Sequence, residues 1–184
     1  MKNKPQAVAS SVVAQSRLFT IESVDLQFSN GKGASFERIV ASHNGVVVVM
    51  AVTSERNLVL VREYAVGREQ YELGVVKGKV DPGEVPKDAA QRELKEEIGF
   101  GAERLTLLRR ATVNPAYTNF SCHIFLAEAL FEESLCGDEI EPLEQIHWPL
   151  DRLAELQHHP DITDVRTLYS LYALQGCLDT RKHD

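Results

Sequence analysis

The run GKVDPGEVPKDAAQRELKEEIGF, Gly78 to Phe100, constrains the fold more than any other part of the chain. Pro86 suits the first turn of a helix and Gly99 the position just past its end, so the spacing predicts a helix over 86–98. Residues three and four apart on a helix stand side by side, which gathers Glu93, Glu96 and Glu97 into one carboxylate patch. Such like-charged pairs cost roughly 0.2–0.5 kcal/mol each on an isolated helix. Ala90, Leu94 and Ile98 form the neighbouring apolar stripe, which must pack on a sheet and therefore sets the patch at the border of the core. A patch in that position calls for a positive partner. An oxygen-rich, multiply anionic site suits a hard divalent cation, Mg²⁺ or Mn²⁺.

A solvated helix face is the usual meaning of a Glu-rich helix. It accounts for RELKEE alone, but not for the glycines spaced before and after it. Asp81-Pro82-Gly83 is a tight-turn signal, so the loop can fold back over the helix N-terminus and bring the Gly78 carbonyl toward the patch. Arg92 can then orient a loop carboxylate such as Glu84 through a two-pronged pair.

Elsewhere, RLFTIESVDLQF and ASFERIV alternate apolar and polar residues around the turn SNGKG, which predicts an antiparallel hairpin. NGVVVVMAVTSERNLVLVREYA predicts two buried strands about a polar turn, and LTLLRRATV and SCHIFLAEAL two more. HWPL ends the sheet region, and two helices near 150–157 and 162–177 close the chain. The expected class is α+β, a mixed sheet between helical layers. In this division residues 1–16 are loosely ordered, 17–44 form an N-terminal β region with a capacity to form a dimer, and 45–184 form the main domain.

The length of 184 residues suits one core. The net charge of −7 and the absence of a basic face argue against nucleic acid or an anionic membrane as partner. The longest apolar run, GVVVVMAV, is too short to span a bilayer, and the N-terminus lacks a signal-like apolar stretch. Cys122, Cys136 and Cys177 have no metal-ligand spacing and read as free thiols of a cytoplasmic protein. His43 and His123 stand alone, the adjacent His158 and His159 point apart on a helix, and GKGAS lacks phosphate-loop spacing.

The opening run also fits a longer pattern: Gly, five residues, Glu, seven residues, then Arg-Glu-apolar-any-Glu-Glu-any-Gly-apolar. The positions are filled by Gly78, Glu84, Arg92, Glu93, Leu94, Glu96, Glu97, Gly99 and Phe100. A chance match somewhere in the chain is on the order of 10⁻⁸ to 10⁻⁷ at average residue usage. The run resembles the signature of the Nudix hydrolases. That resemblance implies an α/β/α sandwich and hydrolysis of a nucleoside diphosphate linked to another group. It further implies that Glu93, Glu96, Glu97 and the Gly78 carbonyl hold divalent metal while Glu84 and Arg92 organise the loop and helix. A pyrophosphate needs its charge neutralised and a water aimed in line, which metal ions and positioning supply. Glu96, Glu139 and Glu141 stand open as the general base.

Upstream, LVLVREYAVGREQYELGVVKG resembles ADP-ribose pyrophosphatases, with Glu72 matching the glutamate of their Glu-Leu-Pro-Ala-Gly; the residues after Leu73 depart from it. Those relatives carry an arginine where this chain has Ala65, so Arg62 becomes the substitute phosphate contact, with an ion pair to Glu63 or Glu69 as the equal alternative. Arg38 is a further candidate. Downstream, Pro115 and Tyr117 in NPAYTN resemble members that cleave ADP-ribose and diadenosine polyphosphates respectively; the tyrosine can stack on a base or serve the core. From Arg17 to about Leu156 the chain is similar to bacterial ADP compounds hydrolases within the family. This implies AMP release from ADP-ribose, NADH and short diadenosine polyphosphates by a homodimer. The competing expectations are a catalytically silent Nudix-fold sensor of nucleotide or ADP-ribose, and a hydrolase of another nucleoside diphosphate derivative.

Overall fold

The computed structural model describes residues 3–41, 45–137 and 140–181. Three antiparallel strands, β1 (Gln6–Gln15), β2 (Thr20–Gln27) and β3 (Gly33–Val40), form an N-terminal sheet in that order. Residues 6–15 thus form a strand where the sequence suggests loose order. Their small-residue run AVASSVVA is exposed throughout, so ladder pairing with β2 holds them in place of burial. Arg38 faces Glu22 across β2 and β3, and the two form an ion pair of 2.8 Å.

The main sheet is built from β4 (Val46–Val52), β5 (Asn57–Ala65), β6 (Gln70–Gly74), β7 (Val76–Lys79), β8 (Phe100–Thr112), β9 (Ser121–Glu132) and β10 (Glu144–Pro149). Its helices are α1 (Pro86–Glu97), α2 (Leu153–Leu156) and α3 (Val165–Arg181), with a 3₁₀ turn at Leu150–Arg152. The order β10-β5-β4-β9-β8 is mixed: β4 and β9 run parallel, and the other pairs along this path antiparallel. Strand period two divides the core. Val47, Val49, Val59 and Val61 pack with Ala89, Ala90, Leu94 and Ile98 of the α1 layer. Their neighbours Val48, Met50, Leu58 and Leu60 pack with Leu153, Leu156, Leu171 and Leu174 of α2 and α3. The expected α/β/α sandwich with a mixed sheet is what forms.

Two features position the site. β6 pairs with β5 whereas β7 pairs with β4, and only Val75 separates them. The chain therefore crosses between strands there and brings Lys77, Gly78 and Lys79 beside α1. Sequence reasoning does not mark these short strands, because four or five residues give too little alternation to read. Secondly, the loop between β8 and β9 joins the N-terminal sheet: Ile39 N–H donates to the Tyr117 carbonyl at 2.8 Å, and Ala41 N–H to Asn119 Oδ1 at 2.8 Å.

Candidate active site

Helix α1 starts on Pro86, with no side-chain cap at Val85, and its C-terminus is closed by Gly99 at φ 74°. Asp81 to Glu84 form a tight turn, with Gly83 at φ 84° and Glu84 N–H donating to the Asp81 carbonyl at 3.0 Å. A proline followed by a left-handed glycine is what a type II turn requires. The Asp81 N–H returns a bond to Glu84 Oε2 at 3.0 Å, fixing that carboxylate over the helix.

Arg92 gathers what the turn presents. Its Nε and Nη2 donate to Glu84 Oε1 and Oε2, both at 3.1 Å, and Nη2 also to the Lys79 carbonyl at 2.8 Å. Its Nη1 reaches Glu93 at 2.7 Å and Glu96 at 2.9 Å. The guanidinium beside it holds the Glu84 carboxyl below the usual carboxylate range. The helix therefore carries its like charges around an internal cation, and a two-pronged guanidinium pair of this kind is strong and directional.

A β-carbon at Gly78 would fall inside the Glu93 carboxylate, so only glycine admits this approach of strand to helix. Glu97 accepts from Lys77 N–H at 3.3 Å. Burial pushes the Glu97 carboxyl up to about 9, with Glu93 and Glu63 adding to the rise and Lys77 opposing it. Among the described residues no three metal-ligating side chains already converge on one point, since Arg92 stands between Glu93 and Glu96. The donors nonetheless fit a hard divalent cation. All are oxygens, Gly78 leaves a cradle beside Glu93, and a second positive charge would relieve the raised Glu97.

Glu93, Glu96 and Arg92 line an open cleft of about 570 Å³ with Glu63, Lys77, Lys79 and Asp81. An adjoining cleft of about 360 Å³ shares Glu63, Lys77 and Gly78 and adds Phe19, Phe120 and Arg166. Arg166, in the first turn of α3, is braced by Asp164, whose carboxylate takes its Nε at 3.0 Å and Nη2 at 2.6 Å. Glu63, Lys77, Arg166, Phe19 and Phe120 escape the sequence reading. Strand alternation could have found Glu63, which continues the α1-facing row Val59, Val61.

Of the other expected residues, Glu72 borders a further cleft of about 560 Å³ with Glu63, Lys77 and Arg166, and the rest of those described lie outside the carboxylate cleft. Arg62 sits in the opposite row of β5, where it pairs with Glu144 at 3.1 Å and Asp161 at 2.9 Å, not with Glu63 or Glu69. Glu72 accepts from Thr163 N–H at 3.0 Å and Oγ1 at 2.8 Å, tying β6 to the approach of α3. Arg38 belongs to the N-terminal sheet. Tyr117 is 62% exposed and meets β3 through its backbone. Glu141 accepts from Tyr71 Oη at 2.7 Å, and Glu139 and His43 lie outside the described residues. All three cysteines are free.

The NUDIX domain family model matches residues 42–169, and that of the NudE-type Nudix hydrolase N-terminal domain matches residues 5–38. The chain is 45% identical over 175 residues to the ADP compounds hydrolase NudE of Escherichia coli (strain K12), covering 95% of this chain and 94% of that protein. It is 30% identical over 177 residues to an ADP-ribose pyrophosphatase of Bacillus subtilis (strain 168), covering 92% and 95%. A crystal structure of an ADP compounds hydrolase superposes with a TM-score of 0.89 at 44% identity, covering 98% of this chain and 97% of that one.

Proposed function

The chain belongs to the Nudix family, and from that premise we propose that it hydrolyses the pyrophosphate of ADP-linked compounds, with ADP-ribose, NADH and short diadenosine polyphosphates as substrates and AMP as product. The observation that carries the reading is the Glu84–Arg92–Glu93–Glu96 network, opening beside Gly78 into a cleft that also holds Lys77. Arrangement and relatives point the same way.

Glu93, Glu96, Glu97 and the Gly78 carbonyl would hold Mg²⁺ or Mn²⁺, which supplies charge neutralisation and an activated water when bound. The chain's own part is positioning. Lys77 and Arg166 face the same cleft and suit the non-bridging phosphate oxygens. Phe19 and Phe120 offer aromatic surface for the adenine. Glu63, which borders both clefts, is placed to take a proton from the attacking water. The backbone wall at Lys77–Lys79 and the Arg92 fork keep these groups in register, which is where phosphoryl-type chemistry gains most.

Two further properties belong to the proposal. The N-terminal sheet exposes Val8, Val12, Val13 and Phe36, an apolar surface that a second copy would cover in a homodimer. Three free thiols suit the cytoplasm, and no helix among the described residues is long and apolar enough to cross a membrane.

The test is a product assay with Mg²⁺, offering ADP-ribose, NADH and diadenosine triphosphate in parallel. AMP from all three, lost with chelator, is the expected result. No AMP from any of them, with ADP-ribose still bound, would place the chain among catalytically silent binders.

A further inference from the structure

Another cleft opens at Glu63, and the chemistry above leaves it unused. Tyr64 on β5 and Tyr71 on β6 are register partners across their hairpin. Their rings meet edge to face, with centroids 5.4 Å apart and planes at 69°. Each keeps nearly half its surface open, 46% and 48%. With Val66, Glu141 and Leu143 they line an opening of about 430 Å³, within the range of a small-molecule subsite. Tyr71 Oη donates to Glu141 Oε1 at 2.7 Å, which fixes the ring. No lysine or arginine is among the described residues of this wall, so its chemistry is not that of a phosphate site. It offers aromatic faces and two carboxylates, Glu63 and Glu141, which together suit a neutral planar ring bearing an exocyclic N–H.

We propose that Tyr64 and Tyr71 form a stacking subsite for a heterocyclic base in the second half of the substrate. This rests on the hydrolase reading and gives it a specificity. NADH and diadenosine polyphosphates carry a base at each end, whereas ADP-ribose ends in a bare sugar. The Phe19–Phe120 cleft and the tyrosine cleft share Glu63, and so does the carboxylate cleft. A pyrophosphate lying at Glu63 therefore has one aromatic surface for the adenine and another for whatever ring follows. Stacking tolerates many bases, because every base presents a π-face. One tyrosine pair thus accommodates reduced nicotinamide and adenine alike. Tyr117, the tyrosine whose place in the sequence suggested this role, borders none of the three clefts.

The experiment compares kcat/KM for NADH, diadenosine triphosphate and ADP-ribose in the wild type, Tyr71→Phe, Tyr71→Leu and the double variant Tyr64→Leu/Tyr71→Leu. Both rings are half-exposed, so leucine leaves the sheet core intact. In the double variant, the ratio of kcat/KM for NADH to that for ADP-ribose falls roughly ten- to a hundred-fold. The ratio for diadenosine triphosphate falls with it. Tyr71→Phe, which keeps the ring, retains most of both ratios. An equal loss on all three substrates would show that the tyrosines merely support the fold of the site and would overturn the subsite, as would unchanged ratios. A wild-type protein that releases no AMP from any substrate would defeat the hydrolase reading itself, and the subsite with it.

Discussion

Glu93 lies against Gly78 so closely that the strand can carry no side chain there. The contact joins β7 to α1 and makes the glycine a steric requirement of the site. Gly78→Ala must push Glu93 off its rotamer or part strand from helix. The expected outcome is a fall in kcat of a hundred-fold or more, about 2.7 kcal/mol of transition-state stabilisation. Circular dichroism should show native secondary structure, and a variant with near-normal turnover would contradict the geometry.

Arg92 donates to three carboxylates and one carbonyl at once. A lysine preserves the charge but not the fork. Arg92→Lys should therefore lose about 10²-fold or more in kcat, together with roughly 1–3 kcal/mol of stability from partners left without donors. Activity and thermal unfolding of the same preparation test both parts.

Under the proposed function Arg166 and Lys77, which line the cleft, take the phosphate contact, whereas Arg62 and Arg38 hold ion pairs elsewhere. Arg166→Met should reduce kcat/KM for ADP-ribose by about 10- to 100-fold, the scale of one lost charge-assisted bond. Arg62→Met and Arg38→Met should change it less than about three-fold. The reverse ranking would return the phosphate contact to β5.

Glu128 on β9 is clasped by Arg181 of α3 at 2.6 Å and by Arg104 of β8 at 3.1 Å. Arg181 first, and Arg104 after it, hold its carboxyl down to about 2, from the ordinary 4.5. A carboxyl depressed in the folded state stabilises it fully above the unfolded value. That contribution disappears as pH falls from about 4.5 to about 2. Both arginines are more than half exposed, so screening reduces the worth of the clasp to about 2 kcal/mol. Glu128→Gln should lower the melting temperature by about 5 °C at pH 7. It should cost almost nothing near pH 2, and a deficit constant across that window would refute the assignment.

What the sequence discloses and what it hides follow from the range of the interactions. The turn at Asp81–Glu84, helix α1 and the Glu84–Arg92 pair are local, and spacing alone foretells them. Arg62 turns away from the carboxylate cleft because period two gives the α1-facing row of β5 to Glu63, which alternation along the strand foretells only once that row is known. Arg166 is invisible from its own neighbourhood, since α3 reaches the cleft only through tertiary packing. β1 hides for another reason: its small, exposed residues carry no core-facing row, and pairing with β2 decides its conformation.

The crossing at Val75 bears on motion as well as on placement. Lys77–Lys79 are laddered to β4, Gly74 and its predecessors to β5, and Lys77 N–H is also bound to Glu97. Displacing this wall would break two ladders and a helix contact together. The active site therefore has a stationary side whose ordering is complete once the chain has folded, and substrate binding adds little entropic cost there. In hydrogen–deuterium exchange the amides of β7 should open only with global unfolding, long after those of the exposed strand β1.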